Sequence, residues 1–159
     1  MSNLAYLSLG SNIGDRSKNL REAISRLGSL GRVAAVSSFY ESEPVEVTDQ
    51  DWFVNCAVEL ETDLGSSELM SQILKIESDL GRRRAVKKGP RIIDIDILLF
   101  GNEVQSVPEL VIPHPAMTQR RFVLEPLAEI APEAMHPVMA KSVQELLNEL
   151  PSGQVVRKL

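Results

Sequence analysis

A chain of 159 residues with one cysteine and a net charge of −5 can bury about 70% of its unfolded surface without help from disulfides or a structural metal. Cys56 alone gives neither a disulfide nor a zinc pattern and reads as a small core residue. No basic leader with a long apolar run opens the chain and no stretch nears 18 apolar residues. A cytoplasmic domain is therefore expected, without secretion or membrane spanning, and the acidic balance disfavours nucleic acid, which needs a broad basic face.

Residues 4–9 alternate loosely and read as a first strand, ending in Gly10-Ser11-Asn12 and then Gly14-Asp15. This glycine-rich turn lacks the spacing of a P-loop, so a structural turn is the plainer reading and a phosphate cradle the other. Leu20, Ala23, Ile24 and Leu27 stand at i, i+3, i+4, i+7 and predict a helix over 17–27. A second strand follows at 33–40, then a polar, acidic loop at 41–51, a length at which loops are often functional. The third strand, 52–61, is interrupted by Asn55, whose amide must be satisfied by neighbouring backbone or by a ligand. Spacing alone does not choose between them. A second helix is expected over 67–80, with its apolar stripe on Leu69, Met70, Ile73, Leu74, Ile76 and Leu80.

Next come Arg82, Arg83, Arg84, Lys87, Lys88 and Arg91, six cations with no acid among them. They lead through Gly89-Pro90 into a fourth strand, 92–100. Side chains in a strand alternate faces, so Ile93, Ile95 and Ile97 share one side and Asp94 and Asp96 the other. Two residues of rise put these carboxylates ~7 Å apart at Cβ, close enough to converge on a common cation or a pair of cations. An edge strand with one wet face is the bland alternative. A basic segment running into paired carboxylates favours a polyphosphate and its magnesium.

A short fifth strand is expected at 103–107. His114 lies between Pro113 and Pro115, a rigid presentation that leaves either a site role or a buried structural histidine. A helix over 118–130 starts with Arg120, Arg121 and Phe122, although helix N-termini prefer anions to cations. Ser142-Val143-Gln144-Glu145 matches a capping box and opens a last short helix to residue 150. The order β-α-β-β-α-β predicts a single α+β domain over 1–159. It would be a ferredoxin-like antiparallel sheet with helices on one face, plus a C-terminal helical extension. The isoleucines would face the helices and the aspartates an open sheet face.

The stretch KKGPRIIDIDIL (87–98) resembles the signature of the 6-hydroxymethyl-7,8-dihydropterin pyrophosphokinases of folate synthesis. LSLGSNIGD (7–15), FYESEPV (39–45), FVNCAVELET (53–62), IESDLGR (76–82), LLFGNEV (98–104), IPHPAM (112–117) and RFVLEPLAEIAPE (121–133) follow in the family's order. The resemblance covers the chain to about Pro137. It implies transfer of pyrophosphate from ATP to the pterin hydroxymethyl group, with release of AMP and dependence on two magnesium ions. Asp94 and Asp96 would hold the metal, and Arg82 and Arg91 would clamp phosphates. Asn55 would bond the pterin with backbone groups of Ser42, Glu43, Pro44 and Val45, and Asp94 would border it. Phe53 and Phe122 would sandwich the ring. Glu77, Arg84, Ile97, Leu110, Val111, His114 and Arg120 would line the ATP site together with the two clamping arginines.

This chain departs from the family pattern at Lys88, where an aromatic often stands, and at Glu46, a usual glycine. Ala116 and Thr118 occupy positions often basic or histidine, and Leu74 and Glu109 also differ from some relatives. An active enzyme with altered affinities is expected, working as a monomer. The stretch after Pro137 is too short for a further catalytic domain. Two rivals come from other classes. An RNA-binding sheet would need exposed aromatics on its face, where this chain would set two aspartates. A metabolite sensor has no need of paired metal-binding carboxylates beside a phosphate clamp.

Overall fold

The computed structural model describes residues 2–44, 51–81 and 92–159. Its centre is an antiparallel sheet built on three long strands. These are β1 (Asn3–Ser11), β4 (Phe53–Thr62) and β5 (Asp94–Phe100). β1 lies between the other two, pairing Gly10 with both Asn55 and Asp94, and Ser8 with both Ala57 and Asp96. On the far side of β4 lie β2 (Arg32–Val36) and β3 (Tyr40–Ser42). The C-terminal strand β10 (Val156–Lys158) then extends the sheet beyond β3.

The strand expected over 33–40 is broken in two. Ser37 takes the ladder over at the break: its hydroxyl accepts from the Ala57 N–H (2.8 Å) and its own N–H donates to the Ala57 carbonyl (2.9 Å). Ser38 turns away and gives its N–H and hydroxyl to Glu129 (2.7 and 3.0 Å). The chain then rejoins β4 as β3, so Glu41 and Ser42, expected in a loop, are strand residues.

Alternation on the long strands builds two cores. Ala5, Leu7 and Leu9 of β1, Val54, Cys56, Val58 and Leu60 of β4, and Ile95 and Ile97 of β5 face one side. There they meet α1 (Arg16–Leu27) through Leu20, Ala23 and Leu27, and α2 (Ser66–Asp79) through Leu69, Ile73 and Ile76. The isoleucines of β5 thus face helices, as the period-2 pattern requires. Cys56 is buried among them, and burial pushes its thiol up to about 12.

The opposite face, expected to be open, is partly covered. Ala57, Leu98 and Leu99 pack against Met117 and against Val123, Leu124 and Leu127 of α3 (Arg121–Ile130). Val143 and Leu146 of α4 (Val143–Asn148) complete that second core. The capping box is made: Ser142 Oγ accepts from the Glu145 N–H (3.1 Å) and Glu145 accepts from the Ser142 N–H (3.0 Å). Two small hairpins lie beside the sheet, β6 (Gln105–Val107) with β7 (Leu110–Ile112) and β8 (Met135–His136) with β9 (Lys141–Ser142). Of these only β6 had a sequence expectation. Among the described residues no helix is long and apolar enough to cross a membrane.

Candidate active site

Phe53 and Asn55 of β4, Gly10 of β1 and Asp94 and Asp96 of β5 share the second face of the sheet, beyond the residues that form the second core. Their pairing register sets them shoulder to shoulder: Asn55 across from Gly10, and Gly10 across from Asp94. Gly10 is the low point between them. A Cβ at that position would stand 2.8 Å from Asn55 Nδ2 and 3.5 Å from the Phe53 ring, so only glycine leaves the amide its place.

Asn55 is 3% exposed, and its Oδ1 accepts from the hydroxyl of buried Ser42 at 2.5 Å. That contact fixes the amide orientation, carbonyl toward β3 and NH2 toward Gly10. The choice left open by the sequence thus has a partial answer: one amide atom is held by a neighbouring side chain. Glu43 and Pro44 continue from Ser42 at the rim, both partly buried. Phe122 on α3 is partly exposed and packs at the edge of the second core. The Arg120 guanidinium stands 5.5 Å from its ring centroid, a cation–π distance.

Asp94 and Asp96 are both partly exposed on β5. The strand that carries them is pinned at its outer edge by two contacts. The Glu77 carboxylate, 2% exposed at the end of α2, accepts from the Ile95 N–H at 2.7 Å. The His114 N–H donates to the Leu98 carbonyl at 3.0 Å. Glu77 therefore reaches the site through the backbone between the two aspartates.

His114 follows a cis Ile112–Pro113 peptide. Its Nδ1 accepts from the Ala116 N–H (3.2 Å), which leaves the proton of the neutral ring on Nε2, 3.9 Å from Asp96 Oδ1. Burial holds the imidazole below its usual value of 6.5. Nearby Arg120 adds to that effect, and Asp94 opposes it. A neutral histidine thus lies beside the second carboxylate, in reach of whatever the carboxylates bind.

The remaining expected positions divide by exposure. Ile97 and Leu110 are buried in the first core, so their side chains are packing, whereas Val111 is exposed at the hairpin. Of the departures, Ala116 supplies the N–H that orients His114, Thr118 sits in a 3-10 turn (Met117–Gln119), and Leu74 is exposed on α2. Val45, Glu46, Arg82, Arg84, Lys88 and Arg91 lie outside the described residues, as do Arg83 and Lys87 of the basic segment.

Arg121, one of the arginines at the helix start, is turned toward the Leu150 and Pro151 carbonyls (3.5 and 3.4 Å). It thus ties α3 to the end of α4. The sequence reading missed Gly10 and Ser42 Oγ as a matched pair about Asn55. A serine two residues after the end of a predicted strand carries no signal until the strands are paired. It also missed an open pocket of about 580 Å3 on the other side of β3, lined by Gly14, Arg16, Glu41, Asp51, Trp52 and Arg157.

Among the described residues no group of three or more His, Cys, Asp and Glu is placed to hold a metal ion. Two same-face carboxylates nevertheless suit magnesium, which keeps most of its waters and is usually held by one or two carboxylates together with substrate phosphates.

Comparison with known proteins gives the same direction. A model of the 7,8-dihydro-6-hydroxymethylpterin-pyrophosphokinase family matches residues 6–132. A 2-amino-4-hydroxy-6-hydroxymethyldihydropteridine pyrophosphokinase of Bacillus subtilis is 50% identical over 132 residues, covering 82% of this chain and 79% of that one. The enzyme of the same name from Methylorubrum extorquens is 45% identical over 152 residues, covering 94% and 95% of the two chains. Folic acid synthesis protein FOL1 of Dictyostelium discoideum is 40% identical over 152 residues, but the match spans only 23% of its length. Among solved structures, wild-type Plasmodium falciparum HPPK-DHPS with pteroate superposes with a TM-score of 0.76 at 19% identity. It covers 94% of this chain and 42% of that one, a likeness of fold. With 50% identity to the Bacillus protein over 132 aligned residues and the family model matched over most of its length, this chain belongs to the 7,8-dihydro-6-hydroxymethylpterin-pyrophosphokinase family.

Proposed function

We propose that this protein transfers pyrophosphate from ATP to the hydroxymethyl group of 6-hydroxymethyl-7,8-dihydropterin in folate biosynthesis, acting as a magnesium-dependent diphosphotransferase. The observation that carries the reading is the row Asn55–Gly10–Asp94 across three paired strands, with Asp96 beside His114. It sets one oriented amide next to two carboxylates on the same face of the sheet. Family membership supports the substrates and the reaction class.

In chemical terms the pterin hydroxyl oxygen bonds to the β-phosphorus of ATP as the bond from that phosphorus to the bridging oxygen of the α-phosphate breaks. AMP leaves with the bridging oxygen, and the hydroxyl proton is released. Such transfers need positioning and charge neutralisation more than covalent help from the protein. Bound magnesium, two ions in this reading, supplies neutralisation of the polyphosphate and acidification of the hydroxyl.

The chain's own groups would do the rest. Phe53 and Phe122 supply aromatic faces for a flat ring, and Asn55, oriented by Ser42, hydrogen-bonds its edge. In this reading backbone groups of Ser42, Glu43, Pro44 and Val45 bond the pterin, with Asp94 bordering it. Asp94 and Asp96 are the metal ligands. Arg82 and Arg91 act as the phosphate clamp, and Glu77, Arg84, Ile97, Leu110, Val111, His114 and Arg120 form the nucleotide side. For buried Ile97 and Leu110 the backbone is the contributing part, and for Glu77 the contribution is the placement of β5. The strand order β5-β1-β4, with β2 and β3 both on the far side of β4, supports a ferredoxin-like reading of the sheet, to which β10 is added beyond β3. The working unit in this reading is a monomer, which gel filtration tests.

Purified protein mixed with magnesium, ATP and hydroxymethyl-dihydropterin should yield AMP as the nucleotide product. ADP, or no turnover, would overturn the assignment.

A further inference from the structure

The matched family model ends at residue 132, yet the last six residues are built into the wall of the pterin recess. β10 pairs with β3 in the register Val156 to Ser42, Arg157 to Glu41 and Lys158 to Tyr40. Just before it, the chain engages every polar group of Glu43. The Glu43 N–H donates to the Val155 carbonyl (3.2 Å), its carbonyl accepts from Gln154 Nε2 (2.9 Å), and its carboxylate accepts from the Val155 N–H (2.9 Å). Arg157 bonds Glu41 (2.7 Å) and stacks over Trp52 with its guanidinium 4.8 Å from the ring centroid. Glu41 is shared with Arg16 at 3.0 Å, and these two arginines hold its carboxyl below its usual value against the opposing effect of burial.

The consequence lies in peptide geometry. A trans peptide is planar, with N–H and C=O pointing opposite ways. Fixing the Glu43 N–H toward the tail aims the Ser42 carbonyl away from it, and fixing the Glu43 carbonyl sets the plane of the next peptide. The two peptide planes at the rim of the recess are thus fixed by the C-terminal segment. β3 has only three residues, too few to hold its own end against fraying. The register also carries the effect inward, because Ser42, paired with Val156, is the residue that orients Asn55.

We infer that the C-terminal segment, through Gln154 and Arg157, is a positioning element for the pterin: it fixes the backbone of residues 42–44 and, through Ser42, the Asn55 amide. This inference rests on the assignment of that recess to the pterin. Gln154 and Arg157 are positioning residues at the β10 edge of the sheet, with β3, β4 and β1 between them and the strand that carries Asp94 and Asp96, so their loss should act on one substrate only.

The test is Gln154→Leu combined with Arg157→Leu in the full-length protein, assayed for both substrates. The expected result is an increase in the pterin KM of about tenfold, the equivalent of one or two net hydrogen bonds. The kcat and the KM for ATP should stay within about twofold, the split expected when only binding of one substrate is lost. Arg157→Lys alone should recover part of the loss through its remaining charge on Glu41. An unchanged pterin KM, or equal losses for both substrates, overturns the inference. Asn55→Ala, measured in parallel, separates the two levels. If it leaves pterin binding intact, the recess was assigned to the wrong ligand. If it weakens binding and the tail substitutions do not, only the positioning role of the tail fails.

Discussion

Gly10 and Asn55 face each other across β1 and β4, and a side chain on the first would occupy the space of the second: a Cβ at residue 10 would lie 2.8 Å from Asn55 Nδ2. Gly10→Ala should therefore push the amide out of the orientation that Ser42 fixes. The expected outcome is pterin binding weakened by about tenfold or more, on the scale of one lost polar contact, with the far-UV circular dichroism of the native chain. Titration of the pterin in the presence of a non-hydrolysable ATP analogue measures it. Native-like affinity would mean that the amide is free to move aside without cost.

Asp94 and Asp96 share one face of β5 within reach of His114. Asp96→Ala should lower kcat on the order of 10³-fold, a loss typical of removing electrostatic stabilisation from a reacting centre, while the far-UV circular dichroism stays that of the native chain. Chelation of divalent ions should abolish turnover, and added magnesium should restore it. A kcat within tenfold of the wild type would remove Asp96 from the metal role.

Glu77 is a buried carboxylate on α2 that accepts from the Ile95 N–H between the two aspartates. Glu77→Ala leaves that donor without its partner in a dry place, at a cost of about 1–3 kcal/mol. Urea unfolding should show this as a lower midpoint with an unchanged slope, and hydrogen exchange at Ile95 should accelerate. Slow exchange at Ile95 in the variant would show that β5 is held there by something else.

Both histidines are neutral in the fold by their surroundings. Burial holds His114 and His136 below the usual 6.5, and His136 Nδ1 accepts from the Val138 and Met139 N–H groups (3.2 and 3.0 Å), which a proton there would exclude. The sign follows from linkage. The unfolded chain takes up these protons below about 6.5 and the folded chain resists, so the stabilisation is full above that pH and falls as the solution is acidified toward the folded values. The urea midpoint should drop between pH 7.5 and 5.5, and His136→Gln should flatten that drop. The window lies above the range where Glu41 and Glu129, both held below the usual carboxylate value, begin to take up protons. A midpoint independent of pH there would refute the histidine contribution.

Local patterns in the sequence reached some features and missed others for a common reason. Period-2 alternation found β5 and put its isoleucines inward, because a strand buried on one face must alternate. The i, i+3, i+4 stripes found α1 and α2 to within a residue or two, and four residues sufficed for the box that caps α4. Where a neighbour supplies the hydrogen bonds, the sequence was silent. The second strand breaks where the Ala57 N–H donates to Ser37 Oγ and the Ser38 N–H donates to Glu129, partners that are distant in sequence. The hairpins at β7 and β8–β9 and the edge strand β10 are two or three residues long, too short for any period to register.

Residue type and spacing were enough to show the family and the chemical cast: paired carboxylates on one face of a strand, a lone amide amid apolar residues, a histidine between prolines. Those depend on residue type and spacing along one element. Tertiary structure alone decided which of them meet. The register of β1 against both β4 and β5 sets Asn55, Gly10 and Asp94 in one row, Glu77 reaches across from α2 to hold the strand between the aspartates, and the C-terminal segment returns to the first half of the chain to grip Glu43. Each of these is a contact between residues far apart in sequence. Only the packing of two cores on one sheet brings them within hydrogen-bonding distance.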